Sequence, residues 1–166
     1  MDIIIENAVS SDASALLTYF KKIGEETDNL SFGAEGLPFS CEEEAAYILS
    51  MEGSQDDALF LAKIDGKIIG EASIHRLPRR MCHRGEFSIS VLKEYWDMGV
   101  GSILLEKIIT FARNNHFEVI DLQVRSDNAR AIHLYQKHGF LKIGTHESFL
   151  KIHKTPIPFD YMTLHL

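Results

Sequence analysis

A chain of 166 residues that is 45% hydrophobic and 25% charged can bury one core without disulfides or a structural metal. That excludes a staple-dependent miniprotein, a disordered tail and a collagen-like fibre. Seventeen basic against 24 acidic residues leave a formal charge of −7, the wrong sign for a surface that neutralises nucleic-acid phosphates.

The amino end lacks a signal-peptide pattern, and no apolar run approaches the ~20 residues of a membrane helix. Cys41 and Cys82 are isolated and form no disulfide framework. The expectation is one cytoplasmic domain over residues 1–166, with no membrane and no nucleic acid as partner.

Ile3 to Ala8 predict a first strand. Ser10 and Ser11 can cap a helix from Asp12 to about Glu26, with Ala15, Leu16, Tyr19, Phe20 and Ile23 on one face. Gly24 weakens its last turns. Asp28 to Ser40 hold Gly33, Gly36 and Pro38 and predict a long loop of the kind that often carries function. Ser40 and Glu43 form a capping-box pattern that opens a helix from Cys41 to Met51.

Ala58 to Ile64, Asp65-Gly66 and Lys67 to Ile74 predict a hairpin, because both turn residues tolerate positive φ. Glu86 to Leu92 predict a strand with Phe87, Ile89 and Val91 on one face and Glu86, Ser88 and Ser90 on the other. Ser102 to Arg113 have helical spacing, Val119 to Val124 a strand pattern, and Asp127 to His138 a helical one ending at Gly139. Phe140 to Gly144 and Tyr161 to Leu166 complete a sheet, with Pro156 and Pro158 expected to block continuous pairing between them. The order βααβββαβαββ is an α/β pattern.

Two segments carry chemistry. Val91 to Ser102 run from a strand through a turn into Gly99-Val100-Gly101 at a helix start. Free N–H groups at such a start suit a pyrophosphate. By itself the glycine pair serves equally for tight helix–sheet packing. No Gly-Lys-Ser/Thr follows, so this is not a Walker loop. Leu104 stands where a Rossmann fingerprint needs its third glycine.

Some 27 residues later comes Asn128-Ala-Arg-Ala-Ile-His-Leu-Tyr135-Gln-Lys-His-Gly139-Phe140. This pairing of motifs resembles the GCN5-related N-acetyltransferase (GNAT) superfamily, over most of the chain and most strongly from Glu86 to Phe140. The resemblance implies a twisted, mostly antiparallel mixed sheet whose two central parallel strands splay apart to admit acetyl-CoA. It implies that Met98, Gly99, Val100, Gly101 and Ser102 present backbone to the pyrophosphate. By the same resemblance, Ile89 and Val91 pair with the pantetheine arm, Asn128 contacts the cofactor, and Tyr135 lies near its sulfur. Trp96 departs from the family pattern, which has Gln or Arg there.

The implied reaction is direct acetyl transfer to a primary amine. An ammonium with a pKa near 10 must lose a proton to react. Glu86 occupies the strand position where several members of the superfamily carry a catalytic glutamate, and it reads equally as a solvated carboxylate on a polar strand face. Tyr135 would act as general acid toward the departing sulfur, or sit as a core tyrosine.

Eight histidines show no metal-ligand spacing, so no metal is expected. Cys82 beside His83 leaves a weaker cysteine-nucleophile route. The acceptor elements are expected at about Glu25 to Tyr47 and Thr145 to Tyr161, where Glu25, Glu26, Asp28 and Glu35 would attract an amine. A non-catalytic acetyl-CoA sensor is the alternative, and a homodimer through sheet edges the expected assembly.

Overall fold

The computed structural model describes residues 2–166. In chain order the elements are β1 (Ile4–Asn7), α1 (Ala13–Glu26), α2 (Cys41–Met51), β2 (Asp57–Ile64), β3 (Lys67–Arg76), β4 (Arg84–Val91), α3 (Val100–Asn114), β5 (Val119–Arg125), α4 (Ala129–Lys137), β6 (Leu141–Ile152) and β7 (Thr155–His165). The predicted βααβββαβαββ order is observed. Ser10 and Ser11 do not cap α1. They form a short 3-10 turn with Asp12, whose Oδ2 accepts from Val9 N at 3.0 Å. The Ser40–Glu43 capping box at α2 forms in both directions, at 2.7 and 3.1 Å.

The strands make one sheet in the order β1-β2-β3-β4-β5-β7-β6. Among the described residues only β4 and β5 run parallel, and they pair at just three positions, Arg84 with Val119, Gly85 with Ile120 and Glu86 with Asp121. Arg84 reinforces this point through Nε and Nη2, which donate to Asp121 at 2.9 and 2.6 Å. Beyond Glu86 each strand stays with its outer neighbour: β4 follows β3 as far as Val91 opposite Gly70, and β5 follows β7 as far as Arg125 opposite Phe159. Two long antiparallel ladders outweigh three parallel pairs, so the strands part as the sheet twists. The expected splay therefore begins at Glu86.

Apolar residues fill both faces. Phe60, Ile74, Phe87, Leu104, Leu105, Ile108, Ile120 and Phe140 make one core with α3. Leu16, Tyr19, Phe20, Ile23, Ile48, Leu59 and Leu61 make the other with α1 and α2. A register shift between Ala62 and Lys63 lets Ile68 serve the second core while Ile69 serves the first.

The loop between α1 and α2 is seated against α1 through Gly24. A Cβ there would stand 1.9 Å from the Gly33 carbonyl oxygen, which is backbone and cannot turn aside. Gly24→Ala is expected to lower stability by about 1–3 kcal/mol through this overpacking. Urea denaturation checks it, and an unchanged midpoint would show that the loop tolerates a side chain there.

The last hairpin differs from expectation. β6 and β7 are 12 and 11 residues long, and Pro156 sits inside the ladder opposite Lys151. Pro156 and Pro158 lie beyond Phe159, the end of the pairing of β7 with β5, so β7 has a neighbour on one side only and the missing N–H is tolerated. Pro158 also faces the register shift between His146 and Leu150, where the ladder is already interrupted. β6, like β1, is an edge strand of the sheet, with Leu141 and Ile143 69% and 64% exposed.

Candidate active site

Where β4 leaves β5 its main chain is open on one side. Alternate residues of an antiparallel strand turn their polar groups to opposite edges. Leu92 N donates to Ile69 O at 2.9 Å, so the even-numbered residues face β3 and Ile89 and Val91 face the gap. Trp96 Nε1 donates to Val91 O from that side at 2.8 Å.

A cavity of about 360 Å³ opens beside this edge. Ile89, Val91, Gly99, Val100, Gly101, Ser102, Asn128 and Tyr135 all line it. The structure thus brings together eight of the ten residues singled out from sequence. Gly99 caps α3 at φ 82°, a left-handed conformation that glycine adopts without strain. No side chain caps this helix, and its first internal bond runs from Ile103 N to Gly99 O. The N–H groups of Val100, Gly101 and Ser102 are left without an intrahelical partner, as an anion site requires.

Asn128, in contrast, caps α4, its Oδ1 accepting from Ala131 N at 3.3 Å. Arg130 and Lys137 add cations along the α4 wall, with His133 between them. The Arg130 guanidinium lies 4.9 Å from the centre of the Trp96 ring and pairs with Asp97. The side chain that departs from the family pattern thus carries an arginine to the same loop. The free helix end, the open strand edge and these cations fit a phosphorylated donor such as acetyl-CoA.

Met98 is the first of the two residues left out. It is 47% exposed and lines neither cavity. Glu86 is the other. It sits at the last β4–β5 pair, opposite His75 on β3, at the closed end of the gap. It lies four residues from Ser90 along an extended strand, roughly 13 Å. Cys82 is exposed in the turn before β4 and also lines neither cavity.

A second cavity, of about 670 Å³, lies on the α1–α2 face and shares Asn29, Leu30, Ile89 and Ser90 with the first. At their meeting point is a carboxylate that sequence reasoning missed. Glu71 on β3 is opposite Ser90 and 6% exposed. Ser90 Oγ donates to Glu71 Oε1 at 3.3 Å. Having given its proton to Glu71, Ser90 accepts from the Tyr19 hydroxyl at 2.9 Å.

Burial raises the Glu71 carboxyl to about 7. The Ser90 hydrogen bond partly opposes this and the charge of Glu44 adds to it. Burial also raises Tyr19 well above the ordinary phenol range, with Glu71 contributing, so Tyr19 stays a donor. Tyr135 is 6% exposed and packs edge-on against Phe87 and Phe140, at 6.0 and 5.8 Å between ring centres. Burial and then the Glu71 charge push its hydroxyl upward too. A carboxyl that titrates near neutrality thus lines the larger cavity beside Ser90, and a hydroxyl that keeps its proton lines the smaller one.

The signal for Glu71 was present in the sequence. It is the single charge in the run Ile68-Ile-Gly-Glu-Ala-Ser-Ile74, and a lone carboxylate in an apolar strand is either a fault in the core or a functional group. Nothing local marked Tyr19 or Ser90, whose importance lies in meeting across the fold.

The model of the acetyltransferase (GNAT) family matches residues 25–140. A solved acetyltransferase of the GNAT family from Streptococcus pneumoniae superposes with a TM-score of 0.94 at 31% identity, covering 99% of each chain. Among curated proteins, the N-alpha-acetyltransferase RimI of Mycobacterium tuberculosis is 34% identical over 92 residues, 55% of this chain and 56% of its own. The L-amino acid N-acetyltransferase AaaT of Escherichia coli is 36% identical over 92 residues, 54% of this chain and 56% of its own. The chain spans about half the length of the curated relatives it matches.

Proposed function

The chain belongs to the GNAT family of acetyltransferases, and on that premise we propose that it transfers the acetyl group of acetyl-CoA directly to a primary amine. The observation that carries this reading is the meeting of two unlike cavities at Ile89 and Ser90. One combines free helix N–H groups with Arg130 and Lys137. The other holds Glu43, Glu44 and Glu71 and no cation. An anionic donor and a cationic acceptor are thus drawn to opposite sides of one gap.

Acetyl-CoA supplies an acyl carbon whose bond to sulfur breaks as the amine nitrogen bonds to it. Val100, Gly101 and Ser102 hold its phosphates, and Ile89 and Val91 align its arm. Glu71 takes the proton of the amine, because its carboxyl titrates near 7 and a base works best near the operating pH. Glu86, the sequence-based candidate, is the second choice, since it lines neither cavity.

Tyr135 faces the sulfur. An ordinary thiol titrates near ~8.5, whereas burial has moved the Tyr135 hydroxyl above the ordinary phenol value. Full proton transfer to a thiolate is therefore uphill. Tyr135 acts instead by donating a hydrogen bond to the developing charge. Trp96, which departs from the family pattern, is held beside the donor cavity by its hydrogen bond to Val91 and by Arg130 over its ring. The β6 edge, with Leu141 and Ile143 exposed, is the surface at which a second copy would pair, and cytoplasmic residence suits the donor.

Two measurements test the reading. CoA at a hundredfold excess over its Kd should stabilise the fold by ~2.7 kcal/mol, visible as a thermal shift. Gly101→Val should shrink that shift, because a Cβ at 101 already meets Leu134 of α4 at 3.2 Å and a larger side chain would push the α4 wall away. Thiol release on adding amines, with acetylated products seen by mass spectrometry, reports transfer itself. No shift at millimolar CoA would sink the donor assignment, and a shift without thiol release on any amine would restore the sensor.

A further inference from the structure

The larger cavity says more about its occupant than that it is an amine. Phe20, Phe32, Phe39, Tyr47, Phe149 and Phe159 give it apolar and aromatic walls, with Phe149 stacked on Phe159 at 4.5 Å. No lysine, arginine or histidine lines it. An acceptor carboxylate would find no cation there, and it would be held against Glu43, Glu44 and Glu71.

Two of these three carboxylates have distinct surroundings. Glu43 is engaged in the α2 cap. Glu44, one residue on, is 2% exposed, lines the cavity, and among the described residues has no hydrogen-bonding or ion-pairing side-chain partner. Burial raises its carboxyl above the ordinary range, and a cation beside it would favour the charged form. Glu71 cannot supply one, and its own proton traffic is taken up by the reacting nitrogen.

One helical turn along α2 from Glu44 is Tyr47, also on the cavity wall. Its hydroxyl bonds His75 Nε2 at 3.1 Å, while His75 Nδ1 bonds Asp57 Oδ1 at 2.9 Å. In the ring form whose Nδ1–H donates to Asp57 and whose Nε2 carries no hydrogen, Nε2 accepts the Tyr47 proton. The phenol oxygen then has only lone pairs to offer the cavity. Glu44 and Tyr47 thus form an acceptor-only pair beside an aromatic wall, which is a cation site.

Resting on the acetyl-transfer reading above, we propose that the acceptor is a diamine-type molecule without a carboxylate: one nitrogen reacts at Glu71 while a second, still cationic, is held by Glu44 and Tyr47 across an apolar stretch. The transfer balances within this arrangement. The reacting nitrogen enters as the free amine, its ammonium proton already released to solvent; it gains the acyl carbon and gives one proton to Glu71, the electron pair of the broken C–S bond leaves on sulfur, and the distal ammonium is unchanged.

The test uses the wild-type protein with acetyl-CoA and three acceptor series of matched chain length: α,ω-diamines from butane to octane, the n-alkylamines, and the ω-amino acids. A peptide with a free amino terminus is the fourth arm. Diamines should exceed ω-amino acids in kcat/KM by about 10²-fold, since a buried charge left without its partner is a large penalty. Alkylamines should fall between them. Glu44→Gln should raise KM for the best diamine about tenfold and bring its advantage over the alkylamine close to one.

Equal rates for diamine and ω-amino acid would overturn the proposal. So would a diamine advantage that survives Glu44→Gln, or transfer to the peptide alone. Each of these leaves acetyl transfer standing. Thiol release with no acceptor, while CoA still stabilises the fold, would instead overturn the catalytic reading beneath it.

Discussion

Glu71→Gln is expected to cut turnover by ~10²–10⁴-fold, the usual worth of a general base, and to raise thermal stability at pH 8. The two effects have one cause. The folded protein holds the Glu71 carboxyl at about 7, against an ordinary 4.5. Between these pH values the folded state keeps a proton that the unfolded chain has released. Stability is therefore full below 4.5, falls as pH rises through that window, and levels off above about 7.

The loss at alkaline pH is up to ~3 kcal/mol, from 1.36 kcal/mol for each tenfold change in acidity. A glutamine has no charge to bury, so the variant should melt higher than wild type at pH 8 and close to it at pH 4. The rate should show the same group. In wild type kcat/KM rises with pH through an apparent pKa of about 7, and the acceptor's own ionisation near ~10 adds a second rise. The variant should keep only the second.

Full turnover in Glu71→Gln at neutral pH would remove Glu71 from the reaction. A lower melting temperature at both pH values would assign lost activity to a damaged fold. Glu86→Gln, run in parallel, decides between the two carboxylates: a deep loss there and none at Glu71 would return the role to the sequence-based candidate.

Tyr135→Phe is expected to lower turnover by ~10- to 10²-fold with CoA affinity nearly unchanged. The ring stays, so its packing against Phe87 and Phe140 and the stability that goes with it are kept. Only the hydroxyl is lost. If it donates to sulfur mainly as negative charge develops, the benefit exists in the transition state and not in the bound donor. In that case kcat and kcat/KM fall together.

The lower part of the usual range for proton-transfer groups is expected because a thiolate is a fair leaving group and because burial makes this phenol a poor acid. Donors with better thiol leaving groups should narrow the gap between variant and wild type. A gap that is constant across such donors would place the hydroxyl in binding or packing, and an unchanged rate would leave Tyr135 a core residue.

The α2 capping box, the Asp65-Gly66 hairpin and the glycine start of α3 were all legible in local sequence. Each is a short-range device: a capping box, two turn residues, a glycine with positive φ. Backbone sterics and helix periodicity act within a turn or two, so local residues determine them. Where the strands part, how long the last hairpin runs and which carboxylate is buried beside the gap were visible only in the tertiary structure. Pro156 is harmless because β5 stops short of it, a fact about a neighbour and not about proline. Glu71 becomes a base candidate through burial beneath α1 and α2, through Ser90 across the strand, and through Tyr19 at 71 positions from that serine. The strand pattern that put Glu86 and Ser90 on one face could not show that the gap opens at one and closes at the other. That is decided by which strand each ladder follows after the third parallel pair.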